Sequence, residues 1–600
     1  MSLRRVGKLA VISVGILLWM SCGQVYRPVV IPVNSTPPNP ANFHAVFGIS
    51  TNVESNPGTA FQIDVSGDSK IGAANMGINP THGAMFPTNA RVFVASAGSV
   101  VPGNADVVTS FTPAVGGSLA SGLGPPVTYT FPNIGPNQTS AITSISESGT
   151  VVTVTLSASL SDATVGGPIV ISNVNIGGYD GNFVISSVSG NTVQYNNSIS
   201  GLAATSGGTA SIPLPTFCSY QPDYVEAKLT SGVFVANYGF TNRGDCTLDS
   251  TDSVAQLNPV TNIIAHIAYL PSGSRPVAVA ETPNGQNLYV LNQGDGVSAS
   301  TVTNLSPTDL SVQATIPVGI NPTWATVRKD GLRVYVLTQG DGQLVPIDPA
   351  TNTVLPSQTN LSVGAGANFV LYDQRLNRIY VTNPTNGNVY VFSATGGLDL
   401  SGNANDTPKL LTTISMSAGT NPPCPAGCSP VSVTALPDGS RFYVASYQEQ
   451  SACTDPNVGA VPCIVPMLTV FDAPSMTVKA PPSSLFAPVP TLALLTSPPF
   501  TGAQYAVPTL ASCTPVVPYA PGVARFRMYT TASSDSSHVY VSICDAGVIA
   551  DIATNTSSNA NGTNAGDRLV TDVLTPFSAA PPGTNGQPPP QNPIFLLTGQ

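Results

Sequence analysis

Tyr380-Val381-Thr382-Asn383 is one of seven variants of an apolar tetrad spread along this 600-residue chain. The others are Phe93-Val94-Ala95-Ser96, Phe234-Val235-Ala236-Asn237, Tyr289-Val290-Leu291-Asn292, Tyr335-Val336-Leu337-Thr338, Tyr443-Val444-Ala445-Ser446 and Tyr540-Val541-Ser542-Ile543. From Tyr289 to Tyr335 to Tyr380 the spacings are 46 and 45 residues. An aromatic residue followed by β-branched and small ones reads as a strand. Ahead of each tetrad lies another strand, often entered through X-Pro, as Asn79-Pro80-Thr81-His82 and Asn321-Pro322-Thr323-Trp324 illustrate. Turns such as Pro283-Asn284-Gly285 and Pro437-Asp438-Gly439 precede several tetrads. A third strand follows, as in Asn388-Val389-Tyr390-Val391-Phe392 or Leu468-Thr469-Val470-Phe471-Asp472, and then a fourth, as in Val312–Gly319. Four short antiparallel strands recurring at this period predict an all-β propeller.

The tetrads resemble the YVTN-type β-propeller repeats of bacterial and archaeal secreted and surface-layer proteins; Tyr380–Asn383 matches that tetrad letter for letter. The resemblance runs from about Phe43 to Thr575 and implies four-stranded blades. It says little about chemistry, because one fold hosts many functions. Related propellers include sugar-lactone hydrolases and cofactor-bound dehydrogenases.

An earlier unit, His44–Ser50 followed by Phe61–Val65, has no first strand, while an orphan strand, Ile594-Phe595-Leu596-Leu597, stands near the other end. We expect the orphan to complete that unit and close the ring, giving eight blades; seven is the alternative. The propeller is assigned to 44–137 and 213–580, with a Pro-rich tail and closing strand at 581–600. Residues 138–212 read as an inserted small β-domain, resembling modules of phage-tail and bacterial surface proteins. Ala480–Gly522 is Pro-rich without a clear strand pattern.

At the amino terminus, Arg4, Arg5 and Lys8 precede the apolar run Leu9–Met20 and then Ser21-Cys22-Gly23. The run suits a secretory leader and is shorter than the ~20 residues of a membrane span. A small residue and Cys at its end resemble the lipobox of bacterial lipoproteins, although Trp19 stands where that family usually has Leu. The resemblance implies a signal peptide over 1–22, lipid on Cys22, and a Pro-rich tether over 23–43. The expected address is the bacterial cell envelope, with membrane contact through the lipid alone.

Eight cysteines remain, an even number that suits an exported, disulfide-tied chain. Neighbour pairing gives Cys218–Cys246, Cys424–Cys428, Cys453–Cys463 and Cys513–Cys544. The competing metal site at Cys424–Cys428 lacks a nearby His.

Only 8% of residues are charged, with 20 Lys and Arg against 30 Asp and Glu and a net charge of −10. Ordinary domains carry about 25%. This excludes coiled coils, charge-driven disorder and a nucleic-acid partner, which needs clustered cations. Of the four histidines, His82 shares its repeat position with Trp324, so both are expected at the channel rim as binding residues. His266 reads as a half-buried strand residue and His538 as part of a turn. Gly294-Asp295-Gly296 and Gly340-Asp341-Gly342 read as hairpin turns, since one Asp between glycines offers too few oxygens for calcium. Arg525 and Arg527 could meet an anion. No catalytic residue, metal ligand or cofactor emerges. The function expected is a lipid-anchored scaffold binding proteins or glycans, with a lactonase- or dehydrogenase-type enzyme, or a structural surface-layer component, as alternatives.

Overall fold

The computed structural model describes residues 45–599, apart from 53–55, 65–68, 99–105, 115–122, 133–137, 161–162, 164, 213–218, 229–231, 240–249, 356–360, 398–405, 417–426, 456–458, 480–490, 496–505, 555–566 and 583–586. His44, Cys22 and the stretches expected to be leader and tether lie outside the described residues, as do Cys218, Cys246 and Cys424.

Eight antiparallel sheets form the blades of a propeller. Their innermost strands are Asn592–Thr598, Pro80–Met85, Pro222–Lys228, Pro276–Glu281, Pro322–Val327, Phe369–Asp373, Ser429–Ala435 and Met528–Ala532, for blades 1 to 8 in that order. Each neighbours the next, and Asn592–Thr598 touches the inner strands of both blade 8 and blade 2, so the ring is closed. Blade 1 is sewn from both ends of the chain. Asn592–Thr598 pairs with Ala45–Thr51, which leads outward to Pro57–Asp64 and Ser69–Ile78.

The tetrads are the second strands of blades 2 to 8. Blades pack face to face, so both faces of a second strand are covered, and the tetrads are apolar without alternation. Tyr289, Tyr335 and Tyr380 are fully buried. Tetrad hydroxyls cross to the following blade: Tyr289 Oη donates to Asn352 Oδ1 at 2.8 Å, and Tyr335 Oη to the Ala394 carbonyl at 3.2 Å. The terminal Asn383 caps the loop before its own blade, its Nδ2 donating to the Val363 and Gly364 carbonyls at 2.8 Å.

The X-Pro entries also have a physical cause. Asn79, Gln221, Arg275 and Asn321, each just before the proline, sit at φ of 49°, 49°, 49° and 55°. Their carbonyls accept from the N–H of Ala97, Tyr238, Gln293 and Gln339, the residues that follow the tetrads. Proline then starts the inner strand, where a missing N–H is tolerated. A register shift follows at once, between Pro80 and His82, Pro222 and Tyr224, Pro276 and Ala278, and Pro322 and Trp324.

Two insertions interrupt the repeat. Gln138–Ser148, Val151–Leu156, Pro168–Ser172, Gly181–Ser189, Thr192–Asn196 and Thr209–Ile212 close into a six-stranded barrel with its own core, including Ile145, Tyr179 and Tyr195. Its first and last residues, Gln138 and Ile212, are cross-strand partners. The Pro-rich second insertion does contain strands: Thr491–Ala493 and Val507–Pro508 add to Gly459–Asp472, giving blade 7 six strands. Proline at the end of a two-residue edge strand hid that pairing from periodicity.

No helix among the described residues is long and apolar enough to cross a membrane. Cys513–Cys544 is a disulfide that pins the second insertion to blade 8. Cys428 is disulfide-bonded as well. The side chain of Cys453 lies outside the described residues; Cys463 is buried with its Sγ 3.8 Å from Gln450 Oε1, and the register sets it opposite Gln450 and Cys453 opposite Val461.

Deleting 594–600 should cost more than the ~3–5 kcal/mol of truncating one buried Phe, because it removes the ladder to Ala45–Thr51 as well as Phe595. The measurement is thermal unfolding, and an unchanged melting temperature would refute ring closure by this strand.

Candidate functional site at the channel mouth

The register shift after each entry proline sets the second residue beyond that proline toward the ring centre. In blades 1, 2, 3 and 5 that residue is Phe595, His82, Tyr224 and Trp324. His82 stacks on Tyr224 with centroids 3.8 Å apart and lies 4.2 Å from Phe595. Trp324 meets Tyr224 at 5.5 Å, Phe369 at 5.6 Å and Phe526 at 5.2 Å. Tyr529 joins Phe595 at 4.2 Å and Phe369 at 5.8 Å. These rings come from blades around the whole circle and touch across it, so the channel is filled by aromatic side chains. Each such pair adds about 0.5–1.5 kcal/mol beyond its buried area.

His82 and Trp324, expected as packing or channel-rim residues, are both only 6% exposed. Position in the repeat reports direction toward the axis, while depth depends on what lies above. His82 Nδ1 lies 3.1 Å from the Val225 carbonyl oxygen and 3.4 Å from the Val225 backbone nitrogen. Burial, and then the neighbouring Arg525 charge, hold its pKa well below the ordinary value.

Above the plug lies a strap, Thr514–Ala524, between the Cys513–Cys544 bond on blade 8 and Arg525. It reaches the far side of the ring. Tyr519 Oη donates to Asp223 Oδ1 of blade 3 at 2.6 Å, Tyr238 Oη donates to the Tyr519 carbonyl at 3.2 Å, and Pro518 fills the space beside Gly296 of blade 4. Arg525 pairs with Asp223, whose side chain is wholly buried. It also donates to the carbonyls of Val277 at 2.8 Å and Thr323 at 3.0 Å. Its guanidinium lies 4.3 Å from the Tyr519 ring and 5.5 Å from Trp324. Burial pushes the Asp223 carboxyl up, against the pull of Arg525 and Tyr519. Arg527 meets Asp545, 3.3 Å to each oxygen, and Thr514 Oγ1 at 2.6 Å. Both arginines thus meet carboxylates of their own chain.

The remaining candidates stand apart from this site. Asp295 accepts from the N–H groups of Val297 and Ser298 at 2.9 and 2.7 Å, and Asp341 from Ile320 N–H at 3.2 Å, as turn residues do. His266 is exposed on the outermost strand of blade 3, opposite Gln256, and not half-buried. His538 begins a strand, its Nδ1 2.7 Å from Oδ1 of the buried Asp551. Among the described residues no group of three His, Cys, Asp or Glu could hold a metal ion. Tyr224, Phe595 and Asp223 escaped sequence reasoning. The signal was present as Pro222-Asp223-Tyr224 and Pro593-Ile594-Phe595, in register with Pro80-Thr81-His82 and Pro322-Thr323-Trp324.

No protein-family model and no curated protein matches the chain. Among solved structures it is similar to a putative 6-phosphogluconolactonase from Bacteroides fragilis, with 9% identity, 94% of this chain and 99% of that one covered, and a TM-score of 0.37. The periplasmic gluconolactonase PpgL of Pseudomonas aeruginosa matches at 13% identity over 70% of this chain and 93% of that one, TM-score 0.37. The dihydro-heme d1 dehydrogenase NirN matches at 10% identity over 93% and 75%, TM-score 0.42.

The neutral His82 makes a pH prediction. Its folded pKa lies below the unfolded 6.5, so beneath that pH the unfolded chain binds a proton that the folded chain refuses. Stability therefore falls on acidification, by up to about 1.4 kcal/mol per pH unit. His82→Phe keeps the stacking and removes the titration. Melting temperatures between pH 7 and 5 should fall less steeply in the variant; parallel curves would exclude this role for His82.

Proposed function

We propose that the chain is a lipid-anchored, cell-envelope propeller that serves as a non-catalytic scaffold for proteins or glycans. The observation that supports this most is the filled channel. Where a propeller enzyme would hold substrate, this one holds His82, Tyr224, Trp324, Phe369, Phe526, Tyr529 and Phe595, under a strap tied to Asp223. Recognition is then left to the ring's faces and rim.

The two faces differ. Val46 pairs with Thr598 at the far end of the inner strand, so the chain enters its body on the face opposite the strap. On the strap face the hairpin Arg441–Asp455 and Gly459–Asp472 continues past the tetrad at Ser446, and Val516 and Val517 of the strap are 41% and 62% exposed.

The enzymatic alternative is open to direct assay. Purified protein incubated with gluconolactone and phosphogluconolactone should open the rings no faster than buffer; an added rate abolished by a substitution in the channel would overturn the scaffold reading. For the anchor, Cys22→Ala should move the protein from the membrane to the soluble fraction, and continued membrane partition would contradict lipidation.

A further inference from the structure

We propose that the channel mouth is a binding site for a guanidinium group, filled in this fold by the chain's own Arg525. The groups around that guanidinium belong mostly to the ring and not to the strap. Asp223 supplies a carboxylate from blade 3, Val277 a carbonyl from blade 4, and Thr323 a carbonyl from blade 5. Trp324 offers an aromatic face 5.5 Å away. The three acceptors are the second residues of adjacent inner strands, so the ring itself sets their spacing. The planar fork meets all three from two nitrogens, Nη1 on the Thr323 carbonyl and Nη2 on Asp223 and the Val277 carbonyl, a spread that the single nitrogen of an ammonium does not reproduce. A wholly buried Asp223 also demands a partner, since an unpaired charge there is costly.

The segment that supplies Arg525 is built unlike the blades. Between Val507–Pro508 and Met528–Ala532 there is no strand, so withdrawing it breaks no sheet. Its base is held covalently by Cys513–Cys544. Its tip is held by hydrogen bonds of Tyr519 and by contact of Pro518 with Gly296. Arg525 therefore acts as an internal competitor for an arginine side chain presented by a partner peptide or protein. This deepens the scaffold reading and rests on it only for the nature of that partner.

The test is chemical rescue in the full chain. Trp324 is the sole Trp outside the leader and reports on the site. In Arg525→Ala its emission should become more accessible to acrylamide. Ethylguanidinium at millimolar concentration should reverse that change with a half-saturation about tenfold below that of the neutral N-ethylurea. Asp223→Asn combined with Arg525→Ala should lose this preference. Should Arg525→Ala not fold, Arg525→Gln serves with the same probes. Equal responses to the charged and neutral probes, or a preference that survives Asp223→Asn, overturn the site. In the unaltered chain, a short arginine-bearing peptide should speed proteolysis within 514–524, and no change relative to its lysine counterpart overturns the competitor role. Failure of the rescue leaves the lactone result untouched, so the two readings fall separately.

Discussion

The ladder between Val46–Thr51 and Asn592–Thr598 is the constraint on which the rest of the molecule depends. Every other blade is local in sequence, but blade 1 joins residues more than five hundred positions apart. Until it forms, the inner strands of blades 8 and 2 have no neighbour on one side, and the aromatic plug lacks Phe595. A closed ring also leaves no blade face exposed, which resolves the edge and face problem that an open stack of sheets would carry.

Ring closure explains the low charge. With tetrads buried from both faces, polar groups are confined to turns and ring ends, where Asn, Ser and Thr satisfy backbone groups without ionic cost. Several of the buried ions among the described residues serve as links between blades. Arg441 and Tyr443 of blade 7 converge on Asp567, in the loop between the third and fourth strands of blade 8, and Arg328 of blade 5 grips Asp406 before the last strand of blade 6. The Arg525–Asp223 pair differs from these, because it joins strap to ring across the mouth and not one blade to the next.

Part of the candidate site was legible in one dimension. His82 and Trp324 shared a repeat position, and Asn-Pro-Thr before each marked the start of an inner strand. Their burial was not legible, because it is set by residues from other blades and by a strap whose Pro-rich sequence carries no periodicity. Asp223 carried no signal in the sequence, because its partners Tyr519 and Arg525 stand some three hundred residues on. The Cys513–Cys544 bond followed from proximity within one segment.

By itself the sequence determined the repeating unit, the blade-completing role of its last strand and the presence of an inserted small β-domain. These depend on local alternation, turn residues and period, which act between residues close along the chain. Only the tertiary structure decided that the channel is filled, that the strap crosses it, and that Arg525 meets Asp223 at the mouth. Those facts arise where eight separate strands converge on an axis, and convergence in space leaves no trace in spacing along the chain.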